Sequence, residues 1–248
     1  MASQTVASQT VASQTMVPQA AAPQAAAPQA AAPQPAALQQ LAARHPRLWV
    51  PGRQAPSTAP STAPEPWSFA QLAGRVVELS AGENSAALTM ATQLLVQAQR
   101  AEDLAAWVMP AGTGFYPPDV ASHGADLAQL VVVRVPTAQA VPLAGARLTH
   151  SGAFGLVVLD LTGLPRVPDA QLGRLVQHAR RHEVLVLCLT GKAARAASLG
   201  SLIAVRAQAT RRRQAADAFL CRVDVLKDKR RGHGWQHEEV VHGAPGLH

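Results

Sequence analysis

The chain has 248 residues, 48% of them apolar and 4% aromatic, with 22 Lys and Arg against 15 Asp and Glu, a formal charge of +7. That length suffices for one or two domains, and the positive balance suits a partner rich in phosphate or carboxylate. No apolar run approaches the ~20 residues that a membrane span needs, and the two cysteines, Cys188 and Cys221, stand in apolar runs that read as buried thiols in a reducing cytoplasm.

Residues 1–35 repeat short units, "VASQTVASQT" and then "PQAAAPQAAAPQAAAPQP". Pro at every fifth position removes helix donors and disfavours helix in the residue before it. The segment reads as a disordered low-complexity tail. It has no basic start and no continuous apolar stretch, so a signal peptide is not expected. Residues 36–50, "AALQQLAARHPRLWV", carry helical spacing. Leu38 and Leu41 fall on one face, and Leu48 and Trp49 follow Pro46. A lone short helix is marginal in water, so this one docks either on its own core or on a partner. Residues 51–66, rich in Pro, Ser and Thr, read as a linker.

From residue 67 to 232, strands and helices alternate. "RVVELS", "LAAWVM", "QLVVVRV", "FGLVVLDL" and "EVLVLCLT" read as five strands. Their continuous apolar runs imply a parallel sheet covered on both faces. "SAALTMATQLLVQAQRA" reads as a helix with Leu88, Thr92, Leu95 and Gln99 along one face. "DAQLGRLVQHARRH" reads as an amphipathic helix with Leu172, Leu175, Val176 and Ala179 inward. "SLIAVRAQAT" and "AFLCRVDVLKD" alternate apolar and polar residues, as antiparallel strands at the sheet edge do. Residues 233–248 read as a solvated tail. His233 and His237 have ligand-like spacing there, but no third or fourth ligand is in sight. No metal or cofactor is expected.

The stretch "ELSAGENSAALT" has the strand–turn–helix form of a phosphate-binding loop: Gly82, Glu83, Asn84, Ser85, Ala86, Ala87, Leu88, Thr89. Such a loop cradles phosphates in backbone N–H groups, extends a lysine to the terminal phosphates and follows it with a magnesium-holding hydroxyl. The lysine place falls on Ala87, the preceding glycine on Ala86 and the hydroxyl on Leu88, with Thr89 one further on. A charge-assisted phosphate contact contributes about 1.5–3 kcal/mol, so nucleotide affinity and catalysis are not expected. Asp160, ending "VVLD", stands where an NTPase keeps its second metal carboxylate. Without magnesium it is expected to hold the adjacent turn. Basic residues gather late in the chain: Arg206, Arg211, Arg212, Arg213, Lys227, Lys229, Arg230 and Arg231. They are the candidates for sequence-independent contact with DNA phosphates.

Several segments, in order, resemble the ATPase core of the RecA recombinase: "GRVVELSAGENSAALTMATQLLVQAQ", "YPPDVASHGADLAQLVVVRVP", "SGAFGLVVLDLTGL", "GSLIAVRAQATRR" and "FLCRVDVLKDKR". The resemblance spans most of residues 74–231 and implies a RecA-like α/β fold of the P-loop NTPase type. The departures are chemical. Beyond the emptied loop, the place of the catalytic glutamate falls near Ala111, the nucleotide-sensing glutamine is replaced by Thr190, and only "GKAARAASLG" (191–200) stands for the second DNA-binding loop. A RecA-like chain so altered is similar to the ImuA family of bacterial mutagenesis cassettes. That resemblance implies a non-catalytic, cytoplasmic and nucleoid-associated role in the SOS response and translesion synthesis. It also implies contacts with RecA, with a Y-family-like cassette protein or with an error-prone polymerase, and it leaves single-stranded DNA as a further partner. A SulA-type cell-division inhibitor and a non-specific DNA-binding protein are the alternatives.

Overall fold

The computed structural model describes residues 67–242. The expected tail, docking helix and linker, with Leu38, Leu41, Leu48 and Trp49, lie outside the described residues. A one-turn helix α1 (Phe69–Leu72) leads into β1 (Val76–Ala81), then α2 (Ala87–Arg100), β2 (Ala105–Pro110), α3 (Pro117–Ser122) and β3 (Leu130–Val135). The chain continues through α4 (Val141–Ser151), β4 (Leu156–Asp160), α5 (Asp169–His182), β5 (Leu185–Thr190), β6 (Val205–Arg213), β7 (Ala218–Asp228) and β8 (Gln236–His242). Eight strands form one sheet in the order β3-β2-β4-β5-β1-β6-β7-β8. The first six positions are parallel, while β7 and β8 run antiparallel to their neighbours. The protein is therefore α/β, with a mostly parallel sheet and flanking helices. Among the described residues, no helix is long and apolar enough to cross a membrane.

Strand alternation divides the apolar side chains between two cores. Val77 and Leu79 of β1 join Leu94 and Leu95 of α2, Trp107 and Trp67 on one face. Val76 joins Val186, Leu159, Leu172, Leu175 and Ala179 on the other, beneath α4 and α5. Each fully buried Leu contributes about 1.5–3 kcal/mol of transfer free energy. The inward face expected for α5 holds for Leu172, Leu175 and Ala179, with Val176 half-buried.

Four expectations are corrected. On α2, Thr92 and Leu95 are buried as expected, but Leu88 is 65% exposed and Gln99 is half-buried; the packed face runs through Met90, Ala91, Leu94, Leu95 and Ala98. The expected helix face started one residue too late in the turn. "QLVVVRV" forms the sheet's outer strand and stays partly open, although its apolar run matches that of a central strand. A helix not anticipated, α4, begins at Val141 with Pro142 in its first turn. The expected tail from 233 to 248 contributes β8, which pairs with β7 from Asp224↔Gln236 to Ala218↔His242. The core therefore extends past residue 232, and Trp235 packs near Trp67, with ring centroids 6.5 Å apart. His237, placed in a solvated tail by its sequence context, is a β8 residue with Nε2 3.8 Å from Glu239.

Candidate functional site

In open α/β sheets, ligands bind outside the carboxyl ends of the strands. At that end of β1, the loop 82–86 is fastened to β6. Ala86 N–H donates to the Ala209 carbonyl (3.2 Å), Arg211 N–H donates to the Asn84 carbonyl (2.7 Å), and Ser85 forms a bridge with Thr210. Asn84 takes the left-handed conformation, φ 52°, that this turn requires. Ser85 Oγ accepts from Ala87 N–H (3.1 Å), so a hydroxyl satisfies one of the open donors at the start of α2. These N–H groups are thus committed to protein acceptors. Ala86 and Ala87 are buried, at 0% and 3% exposure, whereas Glu83, Asn84 and Leu88 face solvent and Thr89 is half-buried. The Gln208 side chain lies over Gly82 so closely that a Cβ there would stand 2.2 Å from its Nε2.

The neighbouring strand ends are also occupied. Asp160 Oδ1 accepts from Thr162 N–H (3.1 Å) and holds the turn after β4. Buried Thr190 donates to Ser80 across the β1–β5 pair (3.3 Å). Ala111 is exposed at the end of β2, where its N–H donates to the Val135 carbonyl.

The segment 191–200 is pinned to the sheet by Glu78 and Lys192, which the sequence did not single out, and by Arg206, which it marked only as a candidate for DNA contact. Glu78, fully buried in β1, accepts from Ser198 Oγ (2.6 Å) and Leu199 N–H (2.9 Å). Its other oxygen faces Lys192 Nζ at 3.8 Å and Arg206 Nε at 4.0 Å. Arg206 donates to the carbonyls of Ala193 (2.9 Å) and Ala196. Burial pushes the Lys192 ammonium below its ordinary range, opposed by Glu78 and reinforced by Arg206. Cys188 lies beside Glu78 in register, and burial followed by that carboxylate pushes its thiol far upward. Such a thiol is unreactive.

The basic candidates separate into three groups. Arg206, 6% exposed, belongs to the buried network, which removes it from any DNA-facing surface. Lys227, Lys229, Arg230 and Arg231 lie at the amino end of the parallel strands, because Val205↔Asp228 pairs the start of β6 with the end of β7. There Lys227 reaches the Ser201 carbonyl (3.5 Å) and Arg231 donates to Gln71. Burial, with Lys227 and Arg180 nearby, lowers the Lys229 ammonium. Arg211, Arg212 and Arg213 lie at the opposite end, about 25 Å away at the usual rise per strand residue, beside the fastened loop. Arg213 donates to the carbonyls of Ala215 (3.2 Å) and Ala216 (2.6 Å), and Arg211 sits 5.6 Å over the Phe219 ring. Arg212 pairs with Leu220 through the ladder, and its side chain makes no hydrogen bond or ion pair among the described residues. A shallow cleft of about 280 Å³ is lined by Thr210, Arg211, Arg212, Leu220, Arg222 and Glu238. In it Arg222 is partly neutralised, with Asp224 at 2.9 Å and Glu238 at 3.7 Å. The arrangement offers cations at the sheet end beside a loop two of whose N–H donors, those of Ala86 and Ala87, are bonded to protein acceptors.

The packing of α4 against α5 also brings together His150, His178 and His182. His178 and His182 are spaced i, i+4 on one helix, but the third ring comes from the helix that was not anticipated, so the grouping was not legible in sequence. No protein-family model matches the chain, and no curated protein does.

Proposed function

We propose that this chain is a non-catalytic, RecA-like accessory protein of the ImuA type, which promotes error-prone translesion synthesis in the DNA-damage response by binding RecA or cassette polymerase partners. One observation carries the reading. The loop after β1 is hydrogen-bonded onto β6, and buried methyl groups stand where a triphosphate requires a cation. Phosphoryl transfer depends on positioning phosphates against N–H groups, a lysine and Mg²⁺. A loop with those parts replaced serves as a surface rather than a catalyst. The mostly parallel sheet with an antiparallel extension agrees with the segment-by-segment resemblance to RecA.

Arg211, Arg212 and Arg213 supply the contact with DNA phosphates or with an acidic partner face. Contacts of this kind are insensitive to sequence and weaken steeply with salt. The pinned segment 191–200 has its central carbonyls bonded to Arg206, which favours partner binding over strand exchange.

The test adds the full chain to RecA on single-stranded DNA and measures filament amount, filament length and RecA ATPase. Labelled ATP is titrated against the chain alone in parallel. A change in the filament, weakened by removing residues 1–50, is expected, with no magnesium-dependent capture of ATP. Phosphate release by the chain itself, or an unaltered filament together with capture of the division GTPase, refutes the reading.

A further inference from the structure

We propose that His150, His178 and His182 form a binding site for a divalent transition metal of the Zn²⁺ type, bridging α4 and α5 and leaving a fourth position for water or an outside ligand. The site lies on the sheet face opposite α2 and is independent of the loop and the cations described above. His178 and His182 project from one side of the last turns of α5, since residues four apart are neighbours on a helix. His150 enters from the last turn of α4.

His150 Nδ1 and His178 Nδ1 stand 3.4 Å apart. Two nitrogens bound tetrahedrally to Zn²⁺ at the usual Zn–N length are separated by about 3.3–3.4 Å. One ligand atom from each of the three rings lies within 4.8 Å of the others. The backbone accommodates the third ring. Gly152 closes α4 at φ +67°, and a Cβ at that position would stand 2.8 Å from His182 Nδ1. His182 Nε2 is buried and hydrogen-bonds nothing among the described residues, so this ring is not held by a protein acceptor.

Two features set the chemistry. Imidazole ligands select Zn²⁺, Ni²⁺ or Cu²⁺ over Mg²⁺ or Ca²⁺. Burial, and then the neighbouring cationic groups, lower the proton affinity of His178 and His182. Arg181 and Arg174 are among those neighbours, and they oppose a dication. Affinity therefore falls below that of thiolate-rich structural sites.

The test uses untagged full-length chain stripped with a chelator. Co²⁺ and Zn²⁺ are titrated into the wild type and into His150→Ala, His178→Ala and His182→Ala, with folding checked by circular dichroism. One ion per chain is expected, with the visible bands of tetrahedral Co²⁺, a higher thermal midpoint in Zn²⁺, and at least a tenfold loss of affinity in each variant. Long-range proton–nitrogen spectra of wild-type imidazoles identify the coordinating rings without mutation, so a misfolded variant does not blur the result. Metal-induced shifts confined to His233, His237 or other rings overturn the proposal, as does binding that survives all three replacements. No binding above that of the triple variant also overturns it, and leaves the 3.4 Å contact as a hydrogen bond between two imidazoles.

Discussion

Glu78 shows how much one side chain decides. A buried carboxylate is tolerated only when paired and hydrogen-bonded, and this one has two donors from the 198–199 turn and two cations at salt-bridge distance. Glu78→Ala leaves Arg206 and Lys192 without their counter-charge, and removing one partner of a buried pair costs about 3–5 kcal/mol. Urea unfolding should record that loss, and limited proteolysis should now cut within 191–200. A loss under about 1 kcal/mol, with that segment still protected, shows the network to be incidental. Asp228 gives a pH-dependent counterpart. Burial raises its carboxyl, but hydrogen bonds from Arg75 and from Arg230 N–H outweigh burial and hold it below 3.8. With the folded value depressed, the unfolded chain binds more protons in the window between the two values, so stability falls as pH falls through it. The contribution is complete above 3.8 and vanishes below the folded value. Thermal midpoints measured down the acid range should show this slope in the wild type and lack it in Asp228→Asn.

Among the elements, the loop–helix unit at β1 and α2 allows a direct test of the proposed reading of this loop as a phosphate loop without its lysine. Ala87→Lys places an ammonium where the native methyl is 3% exposed. It should cost about 3–5 kcal/mol as an uncompensated buried charge and bring no ATP affinity, because Ala86 N–H and Ala87 N–H already have acceptors. Tight Mg-ATP binding by this variant, measured calorimetrically, would show that the loop opens freely. The same elements show what could be read from sequence. β5 announces itself as a nearly continuous apolar run because both of its faces are covered, and α5 announces itself because its Leu and Arg residues alternate at helical spacing. Helix α4 hides for a packing reason: Gly145 lies so close to Leu159 that a Cβ would stand 2.4 Å from Cδ2, so the contact position carries no side chain to mark it. β8, "QHEEVVH", is polar on its open side and joins the sheet through backbone bonds to β7, which composition does not reveal. Glu78 reads as an ordinary strand residue until the 191–200 segment folds over it. Of the candidate site, the strand–turn–helix form around residues 82–89 was legible because it is local. The splitting of the basic residues between two ends of one ladder was not, because antiparallel pairing decides it.

For the molecule as a whole, the first and last described segments close on each other. Trp235 packs on the core beside Trp67, and Arg75 is bonded to Asp228. Truncation after Gly232 removes β8 and Trp235, uncovers the polar groups of the β7 edge and opens Val223 and Val225 beneath. A lower thermal midpoint and concentration-dependent light scattering should follow, since an unpaired apolar edge strand templates association. A truncated chain that unfolds as cooperatively as the full one would mean that β8 is only an ornament of the sheet. The sheet order also fixes a timetable for synthesis. β1 takes its place between β5 and β6, so Val76 meets Val186, and Val77 meets Val205, only after the chain has grown by roughly a hundred residues. At ordinary translation rates "VVELSA" emerges and waits for about 5–20 s without either neighbour. Its one carboxylate, paired only once the 191–200 segment arrives, gives the waiting strand a charge of the kind that guards aggregation-prone runs.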